Sequence, residues 1–206
     1  MPASLRPLAL LVVGALATAC TARESVAPDA QAGAGVPRRA TLIFTADVWG
    51  QLEPCGCSAD MRGGLDRAAA WVKARRAEGP TLLVDAGDAF FAETRYDERE
   101  AAQARRKAEA VAQAFAAMGM DAKAWFERDA VLALATEAAA PRLDGPRVLE
   151  AGSVRVGLVP VDGTDAAAAE RLRAGAEATR AGGADLVVAL VHARRQAVLA
   201  FAAAAA

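Results

Sequence analysis

Two stretches, Thr41-Leu-Ile-Phe-Thr-Ala-Asp47-Val-Trp-Gly50 and Thr81-Leu-Leu-Val-Asp85-Ala-Gly87-Asp88, decide the fold. Each is a short apolar run rich in Leu, Ile or Val that stops at an acidic residue and a glycine. Between them, Leu65 to Arg76 places Leu65, Ala69 and Val72 on one helical face, with Arg67, Lys73, Arg75 and Arg76 elsewhere. A strand–helix–strand unit of this kind implies parallel strands joined by a right-handed crossover. In open α/β sheets, chemistry gathers just beyond the carboxyl ends of the strands. Asp47 and Asp88 are expected there.

Downstream, Glu98 to Met118 reads as a helix whose Ala101, Ala108, Val111, Phe115 and Met118 share a stripe, with Gly119 as its stop. Asp129 to Ala140 predicts another helix, ended by Pro141. Val148–Glu150 and Val154–Val159 flank Ala151-Gly152-Ser153, a hairpin signal. Asp165 to Ala181 is helical in pattern, and Asp185 to Val191 is an apolar strand followed directly by His192. Counted this way, several strands end on a polar group: Asp47, Asp85 or Asp88, Asp162 and His192. Carboxylates converging with one imidazole suit a divalent cation. Each member also has a bland reading. Asp47 and Asp85 fit helix caps or turns, Asp162 before Gly163 fits a turn, and His192 fits a structural imidazole.

Composition narrows the classes. The chain has 206 residues, 54% of them hydrophobic, and a net charge of −1. That suits one globular domain with an N-terminal extension and gives no electrostatic case for nucleic acid. Three cysteines are too few for a disulfide scaffold.

The extension divides into two parts. Residues 1–20 read as an export signal, with Arg6 as the positive region, Leu8 to Leu16 as the apolar core and Ala17-Thr18-Ala19 before a cleavage point. The apolar run is too short to span a bilayer. Leu16-Ala17-Thr18-Ala19-Cys20 resembles the bacterial lipobox, which implies lipidation of Cys20 and attachment to a membrane. A general secretory signal with an incidental cysteine is the alternative. Thr21 to Arg39, rich in Ala, Gly and Pro, reads as a flexible tether, with the folded part from residue 40 to 206.

Five blocks carry a wider resemblance. Thr45-Ala46-Asp47-Val48-Trp49-Gly50, Gly63-Gly64-Leu65-Asp66-Arg67, Leu83-Val84-Asp85-Ala86-Gly87-Asp88, Phe115 to Ala122 and Gly182 to His192 resemble, in order, blocks of the 5′-nucleotidase family of metallophosphoesterases. The resemblance covers about residues 41–195. It implies an α/β, metallo-dependent phosphatase-like sandwich of two sheets flanked by helices, incomplete at the C-terminus relative to longer relatives. It also implies two divalent metals that polarise phosphoryl oxygens and activate a bridging water. Asp47 would ligate the first metal, Asp88 both, and His192 the second.

The departures from the pattern bear on activity. Trp49 stands where the family has a histidine ligand, and indole is a donor only. Phe126-Glu127-Arg128-Asp129 stands where the family reads Gly-Asn-His-Glu, and the later Gly-His-x-His block is absent. Asp47, Asp88, Glu127 and His192 remain as ligands, a set for one divalent metal. The expected hydrolysis of a small phosphorylated molecule is therefore weak or absent.

Glu53-Pro54-Cys55-Gly56-Cys57 resembles a subfamily of exported nucleotidase-like proteins that carry Cys-Gly-Cys here, some with selenocysteine in place of a cysteine. Cys55 and Cys57 could form a strained disulfide, bind a soft metal or meet a redox partner, or could simply be a structural disulfide. Gly63-Gly64 before a helix fits an anion-binding turn or a tight connection equally well. Three expectations follow: a lipid-anchored cell-envelope protein with a depleted metallophosphoesterase site, facing the periplasm or the cell surface; a thiol-redox or metal-binding protein; or a non-catalytic binding scaffold.

Overall fold

Continuous apolar runs bounded by turn residues become strands buried on both faces. In the structure, a computed structural model that describes residues 10–12, 38–54, 63–134 and 140–205, they form two sheets. The first is wholly parallel, in the order β2 (Thr41–Thr45), β3 (Thr81–Asp85), β4 (Ala122–Ala124), β5 (Arg142–Leu143). The second runs β1 (Leu10–Val12), β8 (Leu186–His192), β7 (Val154–Asp162), β6 (Arg147–Ala151). Only β6 is antiparallel to its neighbour, through a hairpin that turns at Gly152 with φ 60°. Among the described residues, four α-helices complete the fold: α1 (Leu65–Glu78), α2 (Glu98–Met118), α3 (Ala166–Ala181) and α4 (Arg195–Ala205).

The two-residue period of the strands sorts their side chains into layers. Leu82 and Val84 of β3 meet Val156, Leu158, Val188 and Leu190 of the other sheet in a shared core. Leu83 points the opposite way, into a core with Val72 of α1 and Val111 and Phe115 of α2. Val159, Val161, Val187 and Ala189 pack on Leu172 of α3 and on Val198 and Phe201 of α4. The result is helix–sheet–sheet–helix. This is the α/β sandwich of two sheets flanked by helices expected from the sequence.

Helix α2 follows the sequence closely. The Asp97 carboxylate accepts the Arg99 and Glu100 N–H groups, Glu100 reaches back to the Asp97 N–H, and Gly119 closes the helix at φ 68°. Among the described residues of the span Asp129 to Ala140, the expected helix does not form. A single 3₁₀ turn, Glu127–Ala130, stands there, and 131–134 are not helical. The Asp129 side chain is drawn into the interior instead of capping a helix. Ala122–Ala124 and Arg142–Leu143, unassigned in the sequence, supply β4 and β5.

Arg38 binds the Ser153 carbonyl and the Asp185 carboxylate, which fastens the chain entry to the β6–β7 hairpin and the start of β8. Leu10–Val12, within the apolar stretch of the expected export signal, lies parallel to β8 with Leu10 opposite Val187. Cys20 is outside the described residues. Among the described residues, no helix is long and apolar enough to cross a membrane.

Candidate functional site

The loops leaving β2 and β3 are stitched to each other. The Asp47 N–H donates to the Gly87 carbonyl at 3.1 Å, Trp49 N–H to Asp88 at 3.0 Å and Gly50 N–H to Ala89 at 2.9 Å. Three residues of this ladder hold left-handed backbone without being glycine: Asp47 at φ 53°, Trp49 at φ 51° and Asp88 at φ 55°. Aspartate tolerates that region, whereas a bulky residue such as tryptophan rarely visits it. Here the crossing hydrogen bonds impose it. They also set Asp47 and Asp88 side by side, and leave Trp49 44% exposed.

The other sheet supplies the facing wall. Its register puts Asp162 opposite His192 at the ends of β7 and β8. Both continue the alternation of Leu158 and Leu190, so they rise from the face that looks towards the first sheet. His192 Nδ1 lies 2.8 Å from Asp162 Oδ1, and its Nε2 lies 3.2 Å from Asp88 Oδ2. The Phe126 ring stacks on the imidazole at 4.6 Å and 16°. Arg128 approaches from the 3₁₀ turn, with Nε 3.2 Å from the same Asp88 oxygen and Nη1 donating to the Ala92 carbonyl.

The charges respond to this crowding. The hydrogen bond to Asp88 does most to push His192 up to about 9; Asp162 adds to it, and partial burial opposes it. Both ring nitrogens therefore carry protons at neutral pH. Asp47 is raised by burial first and by neighbouring Asp88 second, with His192 and Arg128 pulling it back. Asp88 Oδ1 is buried without a hydrogen-bond partner among the described residues.

Beneath the rim lies a second set of charges. Lys123, fully buried in β4, sits 2.8 Å from Asp129 Oδ2 and 3.5 Å from Asp85 Oδ1, and donates to the Ala124 carbonyl. The Asp129 carboxylate accepts the N–H groups of Asp88 at 3.1 Å and Ala89 at 3.0 Å. Asp85 accepts the Thr45 hydroxyl and the Gly87 N–H. Burial drives Asp85 up to about 6, against the opposing pull of Lys123. This network fixes the backbone that presents Asp88.

Of the residues expected from the sequence, Asp47, Asp88 and His192 share one rim. Asp47 and His192 border a cavity of about 180 Å³ lined also by Phe44, Gly87, Arg195 and Val198. Glu127 does not join them. It is exposed in a separate shallow cleft with Arg142, Asp162 and Arg171, which reaches the rim through Asp162, because the 3₁₀ turn that aims Arg128 inward turns its neighbour outward. Gly63 and Gly64, at φ 82° and 92°, lead into α1. A Cβ on Gly64 would press on Pro54 at 3.0 Å, and the Leu65 N–H bonds the Leu52 carbonyl at 3.1 Å; close backbone approach accounts for that glycine. Cys55 and Cys57 are outside the described residues. Asp162 orients the imidazole, a role beyond the turn read from Asp162-Gly163; its register opposite His192 was the available signal. Lys123, Phe126 and the buried role of Asp129 left none.

No family model matches the chain, and no curated protein is similar to it. Solved structures are. Thermus thermophilus sulfate thiohydrolase SoxB, in complex with glycerol, superposes with TM-score 0.54 at 16% identity over 77% of this chain and 45% of its own. A 5′-nucleotidase precursor, also from Thermus thermophilus, gives 0.55 at 17% over 73% and 36%. Haemophilus influenzae NAD nucleotidase gives 0.54 at 12% over 78% and 35%. The chain spans less than half the length of these proteins. The likeness defines the class: a 5′-nucleotidase-like, metallo-dependent phosphatase fold.

The two metals implied by that class can be tested against the donors present. Among the described residues, no group of three or more His, Cys, Asp or Glu is arranged to hold a metal ion. Glu127 stands apart, and Asp88 Oδ2 is engaged by two cations of the chain itself. The unpartnered Asp88 Oδ1 is one free acceptor, not a ligand set. The residues do not fit the two-metal centre, nor the four-ligand single site expected from the sequence.

Proposed function

We propose that this chain is an exported, lipid-anchored protein of a bacterial cell envelope that holds a small phosphorylated molecule at its strand-end rim and hydrolyses it weakly or not at all. The observation that carries this reading is the cavity bordered by Asp47 and His192, where the exposed Arg195 offers positive charge to an anion. The fold supports a phosphoester ligand by analogy with 5′-nucleotidases. Trp49 and Arg128, in positions where the resemblance expects histidines, support weak turnover.

Purified protein should bind inorganic phosphate or a nucleotide in a titration, and lose that binding in Arg195→Ala. Hydrolysis of p-nitrophenyl phosphate should stay near the background rate with or without added divalent metal. Robust turnover that Asp88→Ala abolishes would overturn the proposal of weak activity. Incorporation of labelled palmitate that Cys20→Ala prevents tests the anchor; release of the wild-type protein as a soluble species counts against it.

One observation favours the thiol reading as well. Pro54 lies against Gly64 and the Leu65 N–H bonds the Leu52 carbonyl, so the described residues on either side of the Cys55–Cys57 segment lie close together. Thiol titration of the wild type against a Cys55→Ser, Cys57→Ser double variant separates reactive cysteines from a structural disulfide.

A further inference from the structure

The rim poses a charge problem, and the chain solves it from its own side chains. Asp47, Asp88 and Asp162 bring three carboxylates to one edge, with Asp88 only 4% exposed. A buried carboxylate needs a partner cation or a set of donors. Asp88 Oδ2 forms an ion pair with Arg128 Nε and a hydrogen bond with His192 Nε2, each at 3.2 Å.

Neither partner is loosely placed. The imidazole is pinned by Asp162 on its far nitrogen and by the Phe126 ring across its face. The guanidinium is pinned by the Ala92 carbonyl on its other arm. Guanidinium stays protonated at any ordinary pH, and it offers several donors in a fixed plane. A divalent ion brought to Asp88 would meet the fixed positive charge of Arg128 within direct reach of its ligand, and repulsion at such range is strong in a partly buried site.

We propose that the Arg128 guanidinium replaces the divalent cations of this fold at Asp88, so that the rim is closed by an internal cation and admits a metal only when Arg128 is removed. The inference concerns occupancy rather than turnover. It stands apart from the proposed ligand, because a metal could bind to a protein that hydrolyses nothing. The Asp88 Oδ1 atom, buried and unpartnered among the described residues, is where an entering ion would first find a free lone pair.

Mn²⁺ is the probe, because it is a hard ion that prefers carboxylate and imidazole to the thiols of Cys55 and Cys57. Binding to the full chain is followed by Mn²⁺ electron paramagnetic resonance, with metal content of the purified protein measured alongside. The wild type should carry no stoichiometric metal and bind Mn²⁺ weakly, whereas Arg128→Ala should bind one equivalent at least about tenfold tighter. Adding Asp88→Asn to Arg128→Ala should erase the gain. A wild-type protein that binds one equivalent of Mn²⁺ and loses it in Asp88→Asn overturns the proposal, and so does an Arg128→Ala protein with unchanged affinity. Should Arg128→Ala misfold, Arg128→Gln, which keeps much of the side-chain stem, serves the same comparison, and the wild-type measurement remains decisive by itself. Phosphate binding, measured separately, leaves this outcome untouched and reports only on the proposed function.

Discussion

A lysine with no exposed surface is the least expected residue in the molecule. Lys123 is sustained by Asp129 and Asp85 and by the faces of Phe90 and Trp125, 4.8 and 5.0 Å away. Removing one partner of a buried ion pair strands the other, at about 3–5 kcal/mol. Asp129→Ala also deprives the Asp88 and Ala89 N–H groups of their acceptor, so chemical denaturation should show a loss at the upper end of that range. None of this was legible in Asp121-Ala-Lys-Ala, where a lone lysine between alanines reads as solvated. Burial of a charge is decided by partners distant in sequence. His192 makes a pH prediction. Its pKa rises from 6.5 unfolded to about 9 folded, so its contribution to stability is complete below about pH 6.5 and is lost as pH climbs through about 9. Unfolding free energy should decline across that window, and His192→Gln should flatten the decline. Asp85 acts lower on the scale: with its pKa raised from 3.8 to about 6, it disfavours the folded state as pH rises through that interval.

Among the elements, α2 was the most legible, since cap, apolar stripe and glycine stop all agree over Glu98–Met118. Phe115, wholly buried in that stripe, should cost about 3–5 kcal/mol when replaced by alanine, read as a lower denaturation midpoint. The segment from Asp129 misled because alanine-rich sequence favours helix by propensity alone, and tertiary demand for the Asp129 carboxylate overrides it. The loop after β3 depends on a different constraint. Gly87 has φ 111°, and a Cβ there would run into the Phe126 ring that stacks on His192. Gly87→Ala should destabilise by about 2–4 kcal/mol from backbone strain and crowding together, and should displace the ring from the imidazole. Loss of the ring-current shift on the His192 signals would report that displacement.

For the whole molecule, the parallel strand–helix–strand unit was legible because buried runs and their crossover allow few arrangements, whereas the sandwich of two sheets came only from the resemblance to the 5′-nucleotidase family. The rim was legible in part. Sequence shows which residues end strands, so Asp47, Asp88 and His192 could be placed together, but it does not show which way a short turn faces. That turn separates Glu127 from Arg128, and with it a ligand set from an internally neutralised one. The claim on which all else rests is that imidazole and carboxylates from two different sheets meet at one edge. His192 is the only histidine in the chain, so its imidazole resonances can be titrated by NMR without ambiguity of assignment. The expected result is a pKa near 9 in the wild type that falls markedly towards 6.5 in Asp88→Asn. A wild-type pKa near 6.5 that Asp88→Asn leaves unchanged would contradict the shared rim.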